Sequence, residues 1–383
     1  MKQTCWDIWP DRGFLPQPDP LASLVGSDTP LKAEIVEQIE QAAAQIPTRL
    51  ADGTLRDMVE AMPLFDLAPV QVDGVDFRIV ERLMLIYSFL GNAYVHMTPA
   101  EPAKRLPAAV AMPLYALSQM VDRPPILSYT SYVLTNWRRV DPAYDIRVDN
   151  LALLQNFLGD RDEDWFILIH VDIEARAADA LQGIIQAKHA VQTSDVEALE
   201  AALEAIALSV AQMIETFHRM PEHCNTEVYY HRVRPYIFGF EDVVYEGVTA
   251  YGGEAQSFRG QTGAQSSIVP ALVEALELEH ERSGLTEHLK IMRGYMPGPH
   301  REFISSSAGS GIRGMVLQNR QHASLREVYN LCLQRVLEFR QLHLHYATIY
   351  IAEKVRSPMG TGGTIFMDWL GQLAEETEAQ LIR

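Results

Sequence analysis

Leu199, Leu203, Ile206, Val210, Met213 and Phe217 recur at alternating steps of four and three residues. That spacing fits an amphipathic helix burying one long stripe, and it excludes the two-residue alternation of a half-buried strand. The helix is expected from about 195 to 220, opened by a capping box of Ser194 and Glu197. A second long helix is expected from Ser324, boxed with Glu327, to about 353. Helical pattern also begins near residue 31 in LKAEIVEQIEQAAAQI, and the apolar run 77–96 reads as a core helix that turns Arg78, Glu81, Arg82 and Asn92 toward water. WFILIHV is among the few runs that could be read as a strand, and it abuts helical sequence. The fold class expected is all-α.

The chain's 383 residues, 48% of them hydrophobic, are enough for about two domains. Prolines at 107, 113, 124 and 125 are expected to break their region into short helices. The seam is placed at Arg123-Pro124-Pro125, between a small N-terminal helical domain with an extended proline-rich surface arm (1–123) and a larger helical domain (124–383). Fifty acidic against 32 basic residues give a formal charge of −18, which repels phosphate backbones and anionic membranes, so neither nucleic acid nor membrane is an expected partner. Cys5, Cys224 and Cys332 are too few and too scattered for a disulfide framework, and with no apolar leader at the N-terminus the expected compartment is the cytoplasm.

In QLHLHYATIY two histidines lie two residues apart, which sends them about 200° apart around a helix. At helical steps His343 meets Cys332, Val336, Phe339, Ala347 and Tyr350, whereas His345 meets Glu338, Gln341, Thr348 and Ala352. His343 is therefore the histidine of the apolar face. A neutral imidazole projecting into an apolar cavity can serve as the proximal ligand of a haem, or it can be a core histidine with a backbone partner.

Other motifs carry less. Gly309, Gly311 and Gly314 spell G-x-G-x-x-G but lack the βαβ context of a dinucleotide site; a loop over a pocket mouth, with Arg313 meeting an anion, is expected instead. His300 and Glu302 mimic a zinc deaminase without its cysteines. The GTGGT stretch (360–364) offers backbone and hydroxyls to a carboxylate, or is a plain linker. His170 lies in a bulky apolar run beside Phe166, and Arg232 and Arg234 lie among aromatics, where a guanidinium can clamp a carboxylate or form a structural ion pair.

Taken in order, GFLPQPDPL, AMPLYALSQ, PPILSYTSYVLTNW, WFILIHVDIEA, YYHRVRPYIFGF, VYEGV, GAQSS, YMPGPHREFI, LREVYNLCL, LHLHYATIYI and GTGGT resemble the indoleamine 2,3-dioxygenase family across nearly the whole chain. The resemblance implies a monomeric, all-helical enzyme that uses haem b and O2, with an electron donor keeping the iron ferrous, to open the indole ring of L-tryptophan to N-formylkynurenine. It implies His343 as the axial ligand, Arg313 as the partner of a haem propionate, and Arg234 as the clamp on the substrate carboxylate, assisted by Thr361. Tyr129, Phe166 and Tyr229 are implied to wall the indole, and Thr262 and Gly263 to sit in the distal loop. Two positions depart from the mammalian pattern. His170 replaces a serine and is the residue type that tryptophan 2,3-dioxygenases carry there, fit to accept the indole N–H bond. Gln261-Thr262-Gly263 stands in place of Gly-Ser-Ala. A relative acting on a substituted tryptophan, and a haem- or indole-binding protein without turnover, are the alternatives.

Overall fold

The computed structural model describes residues 6–72, 74–354, 361 and 367–383, and among them helices dominate. The strongest sequence pattern becomes the central helix, Val196–His218, with Leu199, Leu203, Ile206, Val210, Met213 and Phe217 all buried. It packs against Ala178–Thr193, Arg161–Arg176 and Ala323–Tyr350. Gly183 allows the first of these contacts, because a Cβ there would stand 2.7 Å from Ile206 and 2.9 Å from the Ala202 carbonyl.

Neither expected capping box forms. Asp195 caps the central helix by accepting from the Ala198 amide, while Ser194, at φ 56°, ends the helix before it. The long helix spans Ala323–Tyr350 and starts behind His322 with no side-chain cap; Ser324 donates to Glu200 instead. One half of such a box is present at Ser283, whose amide donates to the Thr286 hydroxyl at 3.0 Å. Pro113 does not break its segment either, and sits buried inside one helix, Ala108–Val121.

The run read as a core helix is Phe77–Val95, but its polar residues do not all face water. Glu81 is buried and paired with Arg123 at 2.6 Å, and also accepts from the Trp6 indole at 3.0 Å. Arg82 pairs with Glu40 at 2.6 Å, and Asn92 donates to the carbonyls of Tyr236 and Phe238. Buried charges survive in a core only when paired in this way. The N-terminal arm goes deeper than a surface strap, burying Trp6, Phe14, Leu15 and Leu24.

The strands are short. Arg105–Leu106 pairs in parallel with Phe240–Tyr245, which pairs antiparallel with Ala255–Phe258. The open end of this last hairpin leads back to Arg234 on one side and on to the loop 260–267 on the other. Gly239 and Gly260 are required there, since a Cβ on either would drive into the facing backbone.

Candidate functional site

Phe166, His170 and Glu174 recur every four residues on the Arg161–Arg176 helix and so share a face. Phe166 and His170 are half-buried and Glu174 is buried. The Phe166 ring lies 4.7 Å from His170 and 4.6 Å from Tyr229, while buried Tyr129 meets His170 edge-on at 6.2 Å. Phe217, from the central helix, stands 6.3 Å from His170 and 6.4 Å from His343. The four aromatics and both histidines therefore form one continuous wall.

His343 and His345 are both open to solvent, so solvent exposure alone does not separate them. Their surroundings do. Protein envelops His343 closely enough that burial, with His170 also nearby, pulls its pKa down to about 4. His345 meets Tyr346 of its own helix at 5.5 Å. Among the described residues neither ring nitrogen of His343 has a hydrogen-bond partner.

His170 is fixed differently. Its Nδ1 lies 2.7 Å from the Phe166 carbonyl; since a carbonyl only accepts, Nδ1 carries the proton and Nε2 presents a lone pair. Burial lowers its pKa as well. It is a poor base and an available acceptor.

Arg234 is buried, with its guanidinium carbon 5.4 Å from the Tyr230 ring and 4.7 Å from the Phe238 ring. Desolvation depresses its pKa, with Tyr229 and Tyr230 acting in the opposite sense. The Tyr229 phenol is pushed up to about 12 by burial and stays neutral. Thr262 accepts from the Ala264 amide at the start of a short turn, and Gly263 is exposed with open space where a side chain would project. Thr361 donates to the Gln261 carbonyl at 2.5 Å, which ties it to this loop. The remainder of GTGGT lies outside the described residues.

Arg313 is not brought to this site. Gly311, at φ 76°, leads directly into the helix Ile312–Gln318, so no glycine loop overhangs a pocket. The Arg313 guanidinium donates to the Tyr329 hydroxyl at 3.1 Å and the Gln380 carbonyl at 2.9 Å. Tyr329 lies about four turns, or roughly 21 Å, before His343 along the same helix. The cation near His343 is Arg340, one turn away and missed by the sequence reading. It is buried, donating to the Leu373 carbonyl at 2.8 Å and facing His280 Nε2 at 3.2 Å, with Nε unpartnered among the described residues. His280 in turn donates to Glu376 at 2.6 Å.

Sequence reasoning also missed a junction behind the wall. Glu174 Oε1 accepts from the Tyr129 hydroxyl at 3.0 Å and the Ser266 hydroxyl at 2.8 Å. The Tyr129 amide donates to Gln265, which donates to the Gly260 carbonyl. The signal available was the four-residue step from His170 to Glu174.

His343 fits a haem iron on its donor chemistry: a neutral, unpartnered, accessible imidazole on an apolar wall. Among the described residues no three His, Cys, Asp or Glu side chains converge as a metal-ligand set.

The sequence model of a family described as indoleamine 2,3-dioxygenase matches residues 2–380. Indoleamine 2,3-dioxygenase 1 of Rattus norvegicus is 31% identical over 366 residues, covering 89% of this chain and 88% of that protein. Indoleamine 2,3-dioxygenase acdA of Aspergillus candidus is 31% identical, covering 95% and 94%. The 6-hydroxytryptophan 2,3-dioxygenase fscD of Fusarium equiseti is 29% identical, covering 88% and 82%.

Proposed function

The chain belongs to the indoleamine 2,3-dioxygenase family, and we propose that it adds both atoms of O2 across the indole C2–C3 bond of L-tryptophan or a close derivative, on a haem held by His343. The observation that carries this is the neutral His343 imidazole facing the same aromatic wall as His170. When bound, the haem supplies O2 activation, which closed-shell indoles otherwise lack.

The chain's own residues bind and orient. Phe166, Tyr129 and Tyr229 exclude water and hold the ring, and Arg234 takes the carboxylate through a charge-assisted fork. With one end clamped, His170 Nε2 accepts the indole N–H and fixes the ring's rotation. Burial lowers its pKa, so His170 holds the indole proton rather than removing it. Thr262, Gly263 and Thr361 close the loop side. On the other side Arg340, not Arg313, is the cation placed to meet a haem carboxylate, steadied by His280 and Glu376.

The test is spectroscopic and catalytic together. Purified protein should show a Soret band and, with reductant, O2 and L-tryptophan, accumulate formylkynurenine absorbance. His343→Ala should lose both, and His345→Ala should keep both. A haem-loaded wild type that binds indoles but never turns over would refute the enzyme reading and leave a binding protein.

The exposed Gly263 and the His170 acceptor also allow a ring bearing a polar substituent, the substrate class named for the Fusarium relative. Comparing kcat/KM for L-tryptophan and 6-hydroxytryptophan decides which is preferred.

A further inference from the structure

Resting on the dioxygenase reading, we propose that Glu174 is a positioning residue that pins Tyr129 and the 260–267 loop against the helix carrying His170, and so sets the shape of the indole pocket. Three segments remote in sequence meet at this one carboxyl. Oε1 accepts both hydroxyls, from Tyr129 and from Ser266. The same segments are laced a second time, by the Tyr129 amide to Gln265 and by Gln265 to Gly260. The pocket wall and the loop that closes it therefore move together or not at all.

The other oxygen gives the junction its chemical character. Oε2 is buried and has no partner among the described residues, although the side chain is 1% exposed. No Lys or Arg among the described residues pairs with Glu174. The titratable groups facing it are Tyr129, across the junction, and His170, one turn back on its own helix; Ser266 and Gln265 come from the loop. A carboxylate here would hold a full charge against two neutral hydroxyls on one oxygen and nothing on the other, whereas a neutral acid leaves only an O–H without its acceptor. Burial accordingly pushes the carboxyl up to about 7, with Ser266 and Tyr129 pulling the other way. The neutral acid is the form that fits, and ionisation above neutral pH loosens the clamp.

Glu174→Gln and Glu174→Ala separate this role from simple scaffolding. Glutamine keeps one acceptor for both hydroxyls and cannot ionise. It should preserve tryptophan affinity, read from the Soret shift, and abolish an alkaline fall in kcat/KM that in the wild type steepens toward about tenfold per pH unit. Alanine should raise the tryptophan Kd by about tenfold, as expected for losing two hydrogen bonds to one buried acceptor. Amide exchange is the independent measurement: protection factors across 260–267 in haem-free protein should be high at pH 6 and reduced at pH 9 in the wild type, high at both in Glu174→Gln, and low at both in Glu174→Ala. A Glu174→Gln profile that follows the wild type, or loop protection unchanged in Glu174→Ala, would overturn the proposal. The exchange experiment needs no turnover, so failure of the dioxygenase reading would appear separately, as a haem-loaded wild type without product.

Discussion

Replacing Arg234 by leucine should weaken L-tryptophan binding roughly 10- to 150-fold while barely affecting tryptamine, which lacks the carboxylate. The magnitude follows from where the guanidinium already sits. It is 4% exposed and lies over two aromatic rings at 5.4 and 4.7 Å, so its desolvation is part of folding and is not repeated on binding. The substrate carboxylate must be stripped of water at that step. A charge-assisted hydrogen bond then contributes about 1.5–3 kcal/mol net. Leucine retains the apolar volume between Tyr230 and Phe238 while removing the fork. Lysine restores a point charge without the two parallel donors and should recover only part of the affinity. The assay is a Soret titration of wild type, Arg234→Leu and Arg234→Lys with both ligands, and thermal melts confirm that all three are folded. Equal losses for tryptophan and tryptamine would mean that Arg234 shapes the pocket rather than clamping the carboxylate, and the reasoning would be refuted.

Arg340→Ala should speed haem transfer to a scavenger apoprotein by about tenfold, the worth of one charge-assisted contact, while Arg313→Ala leaves the transfer rate unchanged and lowers only the melting temperature; the reverse pattern would restore Arg313 to the site. Glu81→Ala should cost about 3–5 kcal/mol in denaturant unfolding, because it strands the buried Arg123 guanidinium, and a loss below about 1 kcal/mol would show the pair to be replaceable. Acid should destabilise the fold through its buried neutral histidines. Burial lowers His96 to about 4 and His300 to about 3, from an ordinary 6.5. The unfolded chain therefore binds more protons between those limits, and the stability present above pH 6.5 is lost as pH falls through that window. His300→Phe, which keeps a ring against Trp6 and Phe14, should reduce the slope of unfolding free energy with pH by up to about 1.4 kcal/mol per unit. An unchanged slope would acquit His300.

Helical phase was the legible part of the fold. The 4-3-4-3-4 spacing placed Val196–His218 within two residues at each end, because six apolar side chains on one stripe leave no other solution. The caps were not legible. Ser194 and Asp195 are both good cap residues, and which one serves depends on how the preceding helix ends: here Ser194 takes the left-handed turn out of Ala178–Thr193, leaving Asp195 to open the next helix. The charges within Phe77–Val95 were misjudged because their partners come from elsewhere in the chain. Glu81 meets Arg123, Arg82 meets Glu40 and Asn92 meets Phe238, and no local rule reports a partner dozens of residues away.

The same distinction runs through the site. One helix period separated His343 from His345 and grouped Phe166 with His170, because each of those relations is a matter of phase on a single element. Arg313 was misplaced because a glycine-rich neighbourhood suggested an open loop, whereas the nearer cation lay one turn from His343 in a stretch that reads as ordinary helix surface. The Glu174 junction went unread for a third reason: the four-residue step from His170 marks only its face, and the junction exists only where three segments converge. The two histidines show what convergence adds to phase. Each imidazole is driven neutral by its surroundings, and Phe217 stands beside both. Protonating either would set a charge against the other across an apolar wall. Two neutral imidazoles on one wall suit the proposed division of labour, one to hold the haem iron and one to accept a hydrogen bond, in a reaction without a strong base. A pocket built for proton abstraction would instead set a carboxylate against Nδ1–H, which raises an imidazole's basicity more than the neutral Phe166 carbonyl that occupies that position.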